Sequence, residues 1–116
     1  MKKIYHLNTC DTCQAILKEV QAEKKGADLQ DIKTEKITPA QIDEMKKLSG
    51  SYESLFSRRA LKYKSMGLKD KQLTEKDYRK LILEEYTFLK RPVVIVNNEI
   101  FIGNTKAVVA ALKVAL

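Results

Sequence analysis

Two short apolar runs near the end of the chain constrain its fold most strongly. Residues 93–96 are a β-branched run, Asn97 and Asn98 suit a tight hairpin turn, and residues 100–102 form a second run. Gly103 interrupts this pattern, and the apolar residues within 105–116 recur at helical spacing. The end of the chain is therefore predicted to be two antiparallel strands followed by a helix.

The opening of the chain predicts an α/β unit. Residues 3–7 favour a short strand, and a polar turn at Asn8 and Thr9 follows it. Apolar residues at helical spacing predict a helix over 11–25, with Gly26 as its stop, and residues 29–32 form a weaker second strand.

The middle of the chain is predicted to be helical. Thr38, Pro39 and Gln41 form a capping-box helix start, and Thr74 with Asp77 repeats the box less perfectly. Between these starts we expect short helical pieces with four apolar side chains turned inward: Leu55, Phe56, Leu61 and Met66.

The resulting order, β-α-β, a helical insert over about 38–88, then β-β-α, is that of an α/β protein with a thioredoxin-like fold and a central helical insertion. A chain of 116 residues, 44% apolar and 32% charged, suits a single globular domain over 1–116. No apolar run is long enough to span a membrane, and no export signal is visible. With two cysteines and no secretory context, we expect a cytoplasmic protein without a structural disulfide.

The positive charge is concentrated in one part of the sequence. Residues 58–91 hold eleven Lys and Arg against five Asp and Glu, which accounts for +6 of the net +7. This stretch is expected to attract an anion or an acidic partner, although a solvated lysine surface would have the same composition. Direct nucleic-acid binding is not expected, because the stretch has no regular aromatic interleaving, zinc finger or RNA-recognition signature.

Both cysteines lie in one motif, Cys10-Asp11-Thr12-Cys13, between the first strand and the first helix. A thiolate at a helix N-terminus is stabilised by unpaired N–H groups and by the helix dipole, which predicts a lowered pKa for Cys10 and makes it the candidate nucleophile. Cys13, one turn further, could attack a mixed disulfide at Cys10. Two inert buried cysteines remain an alternative. Zinc is disfavoured and no metal site is predicted, since only His6 could join the two cysteines.

Arg91-Pro92 is the second candidate feature. A proline directly before a strand can carry a cis peptide and lie beside an active-site thiol, or it can be an ordinary strand-start proline. Arg91 would supply a permanent cation with bidentate geometry for an oxyanion. Arg58 and Arg59 are candidates for a second cation or for surface charge, and His6 either tunes the thiolate or is a packed or solvent-facing histidine.

The sequence resembles the arsenate reductase (ArsC)/Spx family, which has a thioredoxin-like fold with a helical insertion. The resemblance covers essentially the whole chain. It rests on three motifs: His6-x-x-x-Cys10 opening the first helix, Leu55-Phe56-Ser57-Arg58-Arg59 followed by Tyr63 and Met66-Gly67-Leu68, and Arg91-Pro92-Val93-Val94.

The resemblance implies a reaction and a set of roles. Cys10 corresponds to the cysteine that attacks arsenate, glutathione with glutaredoxin resolves the adduct, and Arg91 corresponds to an oxyanion-binding arginine. A second family arginine falls at Arg58 or Arg59, whereas the third is replaced by Gly103. The Asn-Pro that usually precedes the cysteine in arsenate reductases is absent. Glutathione is thus the expected cosubstrate of a small anionic substrate, with no tightly bound cofactor.

Two features are also similar to the Spx-type regulators. In these proteins the C-x-x-C pair is an oxidation switch and the partner is the RNA polymerase α subunit; Cys10, Cys13 and Gly103 match that pattern. The first hypothesis is therefore a cytoplasmic thiol oxidoreductase of the arsenate reductase type. The alternative is an Spx-like redox-switched transcriptional regulator.

Overall fold

A computed structural model describes all 116 residues of the chain. It contains four strands and five helices, in the chain order β1 (Lys2–His6), α1 (Asp11–Glu19), β2 (Asp28–Asp31), α2 (Pro39–Ser49), α3 (Leu61–Ser65), α4 (Glu75–Glu84), β3 (Val93–Val96), β4 (Glu99–Ile102) and α5 (Lys106–Ala115). The predicted β-α-β and β-β-α segments, with helices between them, are confirmed.

The chain divides into two compact units. Residues 1–35 and 91–116 form one of them, the sheet unit, and residues 36–90 form the other, the helical unit. The predicted insert, 38–88, falls inside the helical unit. That the chain behaves as one domain stays a prediction.

The sheet unit is built on four strands in the order β2-β1-β3-β4. β1 pairs in parallel with β2 and antiparallel with β3, and β3 forms a hairpin with β4. Asn97, in the hairpin turn, has a left-handed backbone conformation that asparagine tolerates well. Ile4 and Val94 are register partners, and α1 and α5 cover their face of the sheet with Ile16, Leu17, Val20 and Leu112.

Helix α1 is shorter than the sequence pattern indicates. It ends at Glu19, because Gln21 adopts a positive φ of 56° and the chain turns there instead of at Gly26. The amide of Ala22 donates to the Leu17 carbonyl and that of Gln21 to the Lys18 carbonyl, which is the hydrogen-bond pattern of a Schellman end. The prediction over 11–25 was wrong because such an end usually carries glycine.

Local signals set the ends of the main helices in the helical unit. Both predicted capping boxes form, with Thr38 and Gln41 at the start of α2 and Thr74 and Asp77 at the start of α4. Gly50 ends α2 in a left-handed conformation, as expected. Because these signals act over three or four residues, they can be recognised in the sequence without knowledge of the fold.

An aromatic cluster forms the interior of the helical unit. The Phe56 ring stacks on Phe88 at a centroid distance of 5.0 Å and is tilted against Tyr78 at 4.9 Å. Leu55 and Phe56 are fully buried, as predicted, but Leu61 is 89% exposed and Met66 is 43% exposed. Those two predictions were wrong because α3 has only five residues, too few for apolar spacing to define a buried face.

None of the helices combines the length and the apolar character that a membrane span requires.

Candidate active site

Cys10 lies where the first strand gives way to the first helix. The turn after β1 closes with a 3.0 Å hydrogen bond from the Cys10 N–H to the Leu7 carbonyl. Cys10 is the N-cap residue of α1, with extended backbone angles, and its own carbonyl accepts from the Gln14 N–H at 3.1 Å. The thiol is thus placed at the end of a helix that carries unpaired N–H groups and partial positive charge.

Cys13 lies within the first turn of α1 and is fully buried. It is 3.6 Å from Cys10, and both cysteines are free thiols. The short separation follows from the helical spacing of the C-x-x-C motif. The pair is therefore close enough for thiol–disulfide exchange.

Strand pairing brings Arg91 to the same end of the sheet. Tyr5 in β1 pairs with Val93 in β3, so the residues that precede Val93 run alongside the end of β1 and the turn to Cys10. The Arg91–Pro92 peptide is cis, which confirms the cis alternative, and Pro92 is buried while Arg91 is half-buried. The Nε atom of Arg91 is buried.

The pKa of Cys10 lies below its ordinary value of 9.0. Partial burial of the thiol raises the pKa, but the Cys13 backbone N–H, the Cys13 thiol and the Arg91 guanidinium together lower it by more. The N–H of Cys13 falls short of the geometry of a formed capping hydrogen bond, so it acts on the sulfur through its partial positive charge. Cys10 is the more reactive thiol of the pair.

The pKa of Cys13 is raised from 9.0 to about 12. Burial is the main cause, followed by the hydrogen bond to Cys10 and the charge on the Cys10 thiolate; the Leu7 backbone and Arg91 oppose these effects more weakly. As the pH rises, Cys10 therefore loses its proton before Cys13 does. Once Cys10 is bonded to a substrate its negative charge is gone, and that contribution to the raised pKa of Cys13 disappears.

The two central arginines lie in the helical unit and differ from each other. Arg58 forms a 2.8 Å ion pair with Glu53, donates to the Tyr78 hydroxyl at 3.1 Å and lies over the rings of Phe56 and Tyr78. The hydrogen bond to Glu53 is the main cause that raises the pKa of Arg58. The side chain of Arg59 is exposed and makes neither an ion pair nor a hydrogen bond. The assignment of either arginine to an oxyanion stays a prediction.

His6 and Gly103 are both placed near the ends of the strands that carry the site. His6 is buried and its Nδ1 atom lies 3.2 Å from Nε2 of Gln14, a residue that the sequence pattern did not single out. The Gly103 N–H donates to the Pro92 carbonyl at 2.9 Å, so the position of the missing third arginine adjoins the Arg91–Pro92 segment. The role of His6 in tuning the thiolate stays a prediction.

No group of three or more His, Cys, Asp or Glu side chains lies close enough to hold a metal ion.

Solved structures with the same fold are similar along nearly the whole chain. An arsenate reductase from Vibrio cholerae is 15% identical, has a TM-score of 0.79 and covers 99% of this chain and 97% of its own. An ArsC-family-related protein from Bacteroides fragilis is 21% identical, has a TM-score of 0.81 and covers 96% of both chains. A Streptococcus mutans protein described as a "possible arsenate reductase" is 25% identical, has a TM-score of 0.74 and covers 91% of this chain and 92% of its own.

Comparison with curated protein sequences gives no match. The sequence profile of the ArsC family, in contrast, matches residues 5–112. The structural neighbours establish the thioredoxin-like fold, and the ArsC family match supports a thiol oxidoreductase. Since the matched segment spans almost the entire sequence, the chain belongs to the ArsC family.

Proposed function

We propose that this protein is a cytoplasmic reductase of a small oxyanion, arsenate or a related oxidised substrate, with Cys10 as the nucleophile. One observation carries the proposal: Cys10 has a lowered pKa, a buried second thiol 3.6 Å away and an arginine that stabilises its negative charge. An inert pair of buried cysteines would not combine a depressed pKa on one thiol with partial exposure of that thiol.

The first step is attack by the Cys10 thiolate on the arsenic atom. An S–As bond forms and one arsenate oxygen leaves as water after taking up two protons, so arsenic is still As(V). Arg91 compensates the negative charge of the oxyanion as it approaches the thiolate, and a second cation from Arg58 or Arg59 would add to this effect.

The second step transfers two electrons to arsenic. A second thiol attacks the Cys10 sulfur, an S–S bond forms, the S–As bond breaks, and its electron pair remains on arsenic, which leaves as arsenite. Cys13 is close enough to be that thiol, and its proton goes to solvent. Glutathione then reduces the Cys10–Cys13 disulfide, directly or through glutaredoxin; where glutathione itself attacks Cys10, the mixed disulfide is the species reduced.

The test is an NADPH-coupled assay with arsenate, glutathione, glutaredoxin and glutathione reductase. We expect NADPH consumption that requires Cys10 and is lost in Cys10→Ser. Cys13→Ser is the matched control, since it removes a thiol of the same motif but leaves the nucleophile. If Cys13 resolves the adduct, this variant, incubated with arsenate and glutathione without glutaredoxin, will accumulate a Cys10–glutathione mixed disulfide that mass spectrometry detects.

The assay also has outcomes that reject the proposal. Turnover that persists in Cys10→Ser would exclude Cys10 as the nucleophile. If the protein does not turn over arsenate although its Cys10 still ionises below pH 9, arsenate is excluded as the substrate and a different oxidised substrate is left.

A second function, an Spx-like redox-switched regulator, is favoured by the short separation of the two thiols and by Gly103 in place of the third arginine. This function requires a complex with the RNA polymerase α subunit whose affinity changes when Cys10 and Cys13 form a disulfide. Pull-down with purified α subunit, under reducing and oxidising conditions, tests it. Binding in neither state would reject the regulator.

A further inference from the structure

Gln14 makes two side-chain contacts that converge on the cysteine turn. Its side-chain nitrogen, Nε2, lies 3.0 Å from the Leu7 carbonyl oxygen and 3.2 Å from Nδ1 of His6. Gln14 is half-buried in α1, one residue after Cys13, and its side chain folds back over the turn that leads into the helix.

The contact with Leu7 determines how the carboxamide is oriented. A backbone carbonyl only accepts hydrogen bonds, so the Gln14 atom that faces it must be the NH₂ group and not the oxygen. The second N–H of that group then points to Nδ1 of His6, which must accept. The neutral His6 ring therefore carries its proton on Nε2.

The Leu7 carbonyl is also part of the turn that holds the nucleophile. It accepts the backbone N–H of Cys10 at 3.0 Å and the Gln14 side chain at the same distance, which uses both of its lone pairs. The Gln14 backbone N–H in turn donates to the Cys10 carbonyl at 3.1 Å. Gln14 thus fixes the turn on both sides of Cys10.

We propose that Gln14 is a positioning residue for Cys10, which it holds in place by donating to the Leu7 carbonyl. The proposal rests on the proposed role of Cys10 as the nucleophile. The Cys13 N–H and the Arg91 guanidinium stabilise the Cys10 thiolate only while the sulfur stays close to them. Such electrostatic effects weaken when a reacting group shifts by about 1 Å, so loosening the turn disfavours the thiolate.

The variants Gln14→Met and Gln14→Glu separate the two contacts. Methionine has nearly the same length and volume but no donor, so it removes both hydrogen bonds without leaving a cavity. Glutamate cannot donate to the Leu7 carbonyl, yet it can accept from a protonated His6. If the Leu7 contact positions Cys10, Gln14→Met will be impaired. The added carboxylate of Gln14→Glu raises the pKa of Cys10 by its charge alone, so that variant is decisive only if its profile stays native-like.

The readout is the pH profile of Cys10 alkylation by iodoacetamide in the full-length protein, followed by mass spectrometry of the Cys10 peptide. We expect both variants to move the midpoint upward and to lower the alkylation rate at pH 7 about threefold to tenfold, since tenfold corresponds to one pKa unit. A Gln14→Met profile that superimposes on that of the native protein would overturn the proposal. So would a native-like Gln14→Glu profile, which would assign the effect to His6.

Gln30→Ala is the matched control for a purely structural effect. Gln30 is a buried glutamine of the same unit whose amide donates to the Glu35 carbonyl at 3.0 Å, and it lies in β2, outside the cysteine turn. Its replacement is expected to lower stability and leave the alkylation midpoint unchanged; an equal shift in this control would overturn the proposal. If Cys10 of the native protein itself ionises near pH 9, the proposed function fails instead, whatever Gln14 does.

Discussion

The sheet unit and the helical unit use arginine in opposite ways. In the sheet unit, Arg91 acts on the Cys10 thiol and lowers its pKa. In the helical unit, Arg58 is paired with Glu53 and lies against two aromatic rings, where it serves the packing of that unit. Both residues belong to the same basic stretch of sequence. Charge density along the chain therefore does not identify the functional cation; the groups around each guanidinium do.

The units also differ in how their structure is specified. The helical unit depends on capping boxes and a C-terminal glycine, which are signals between near neighbours in sequence. The sheet unit depends on pairing between β1 and β3, whose residues are about 90 positions apart. The site arises from that pairing, because it brings Arg91 to the helix end that carries Cys10.

The largest expected effect comes from removing Cys10. In Cys10→Ser the remaining thiol is buried and its pKa is held high by that burial, so alkylation at pH 8 should fall roughly 100-fold or more relative to the native protein. Cys13→Ser should retain the fast-reacting thiol. Measurement of total thiol alkylation in the two variants checks this, and equal rates would contradict the assigned difference between the cysteines.

The comparison of the two arginines is tested by Arg91→Gln and Arg58→Gln. Loss of the Arg91 charge should raise the pKa of Cys10 and lower its alkylation rate at pH 7 about threefold to tenfold. Loss of Arg58 should leave that rate unchanged and lower the stability of the helical unit. If Arg58→Gln lowers the alkylation rate of Cys10 more than Arg91→Gln does, the roles assigned to the two arginines are wrong.

The substitution Gly103→Arg tests whether an arginine at the position of the third family arginine improves the binding of the anion. A Cβ atom at this position meets nothing within 4 Å, but the φ of +94° disfavours any side chain, at a cost of about 1–2 kcal/mol. We expect lower stability in urea and a lower KM for arsenate, because a cation is added beside Pro92. An unchanged KM in the folded variant would show that an arginine at this position does not reach the anion.

Thr38→Ala has the smallest expected effect and changes the helical unit without touching the cysteine site. Its side chain caps α2, so its loss should cost about 1 kcal/mol in urea denaturation. The pH profile of Cys10 alkylation should not change. A shifted profile would mean that the stability of α2 controls the thiol.

The sequence was sufficient to predict the element order, both capping boxes and the hairpin, because each has a local signature, and it offered the cis proline as one of two alternatives. Cys10 as the nucleophile stays a prediction. It was not sufficient to predict the end of α1, where Gln21 takes a conformation that usually belongs to glycine. Leu61 and Met66 were misplaced because a five-residue helix has no clear apolar face.

The parts of the site that the sequence left open are those that depend on side-chain partners. The pattern did not distinguish Arg58 from Arg59, because Arg58 pairs with Glu53 in a short 3-10 helix five residues earlier, a spacing that no regular helical pattern indicates. Gln14 was missed for the same reason: a glutamine in the first turns of a helix is ordinary, and only the position of the Leu7 carbonyl reveals its role. Its spacing of four residues from Cys10 was the one available signal.

The most direct test of the account is the pH dependence of alkylation for each cysteine of the reduced native protein, resolved by peptide mass spectrometry. The account predicts a Cys10 midpoint below pH 9 and a Cys13 that stays unmodified through pH 10, because its pKa is raised to about 12. Ionisation of Cys10 at or above pH 9, or simultaneous modification of both thiols, would contradict it.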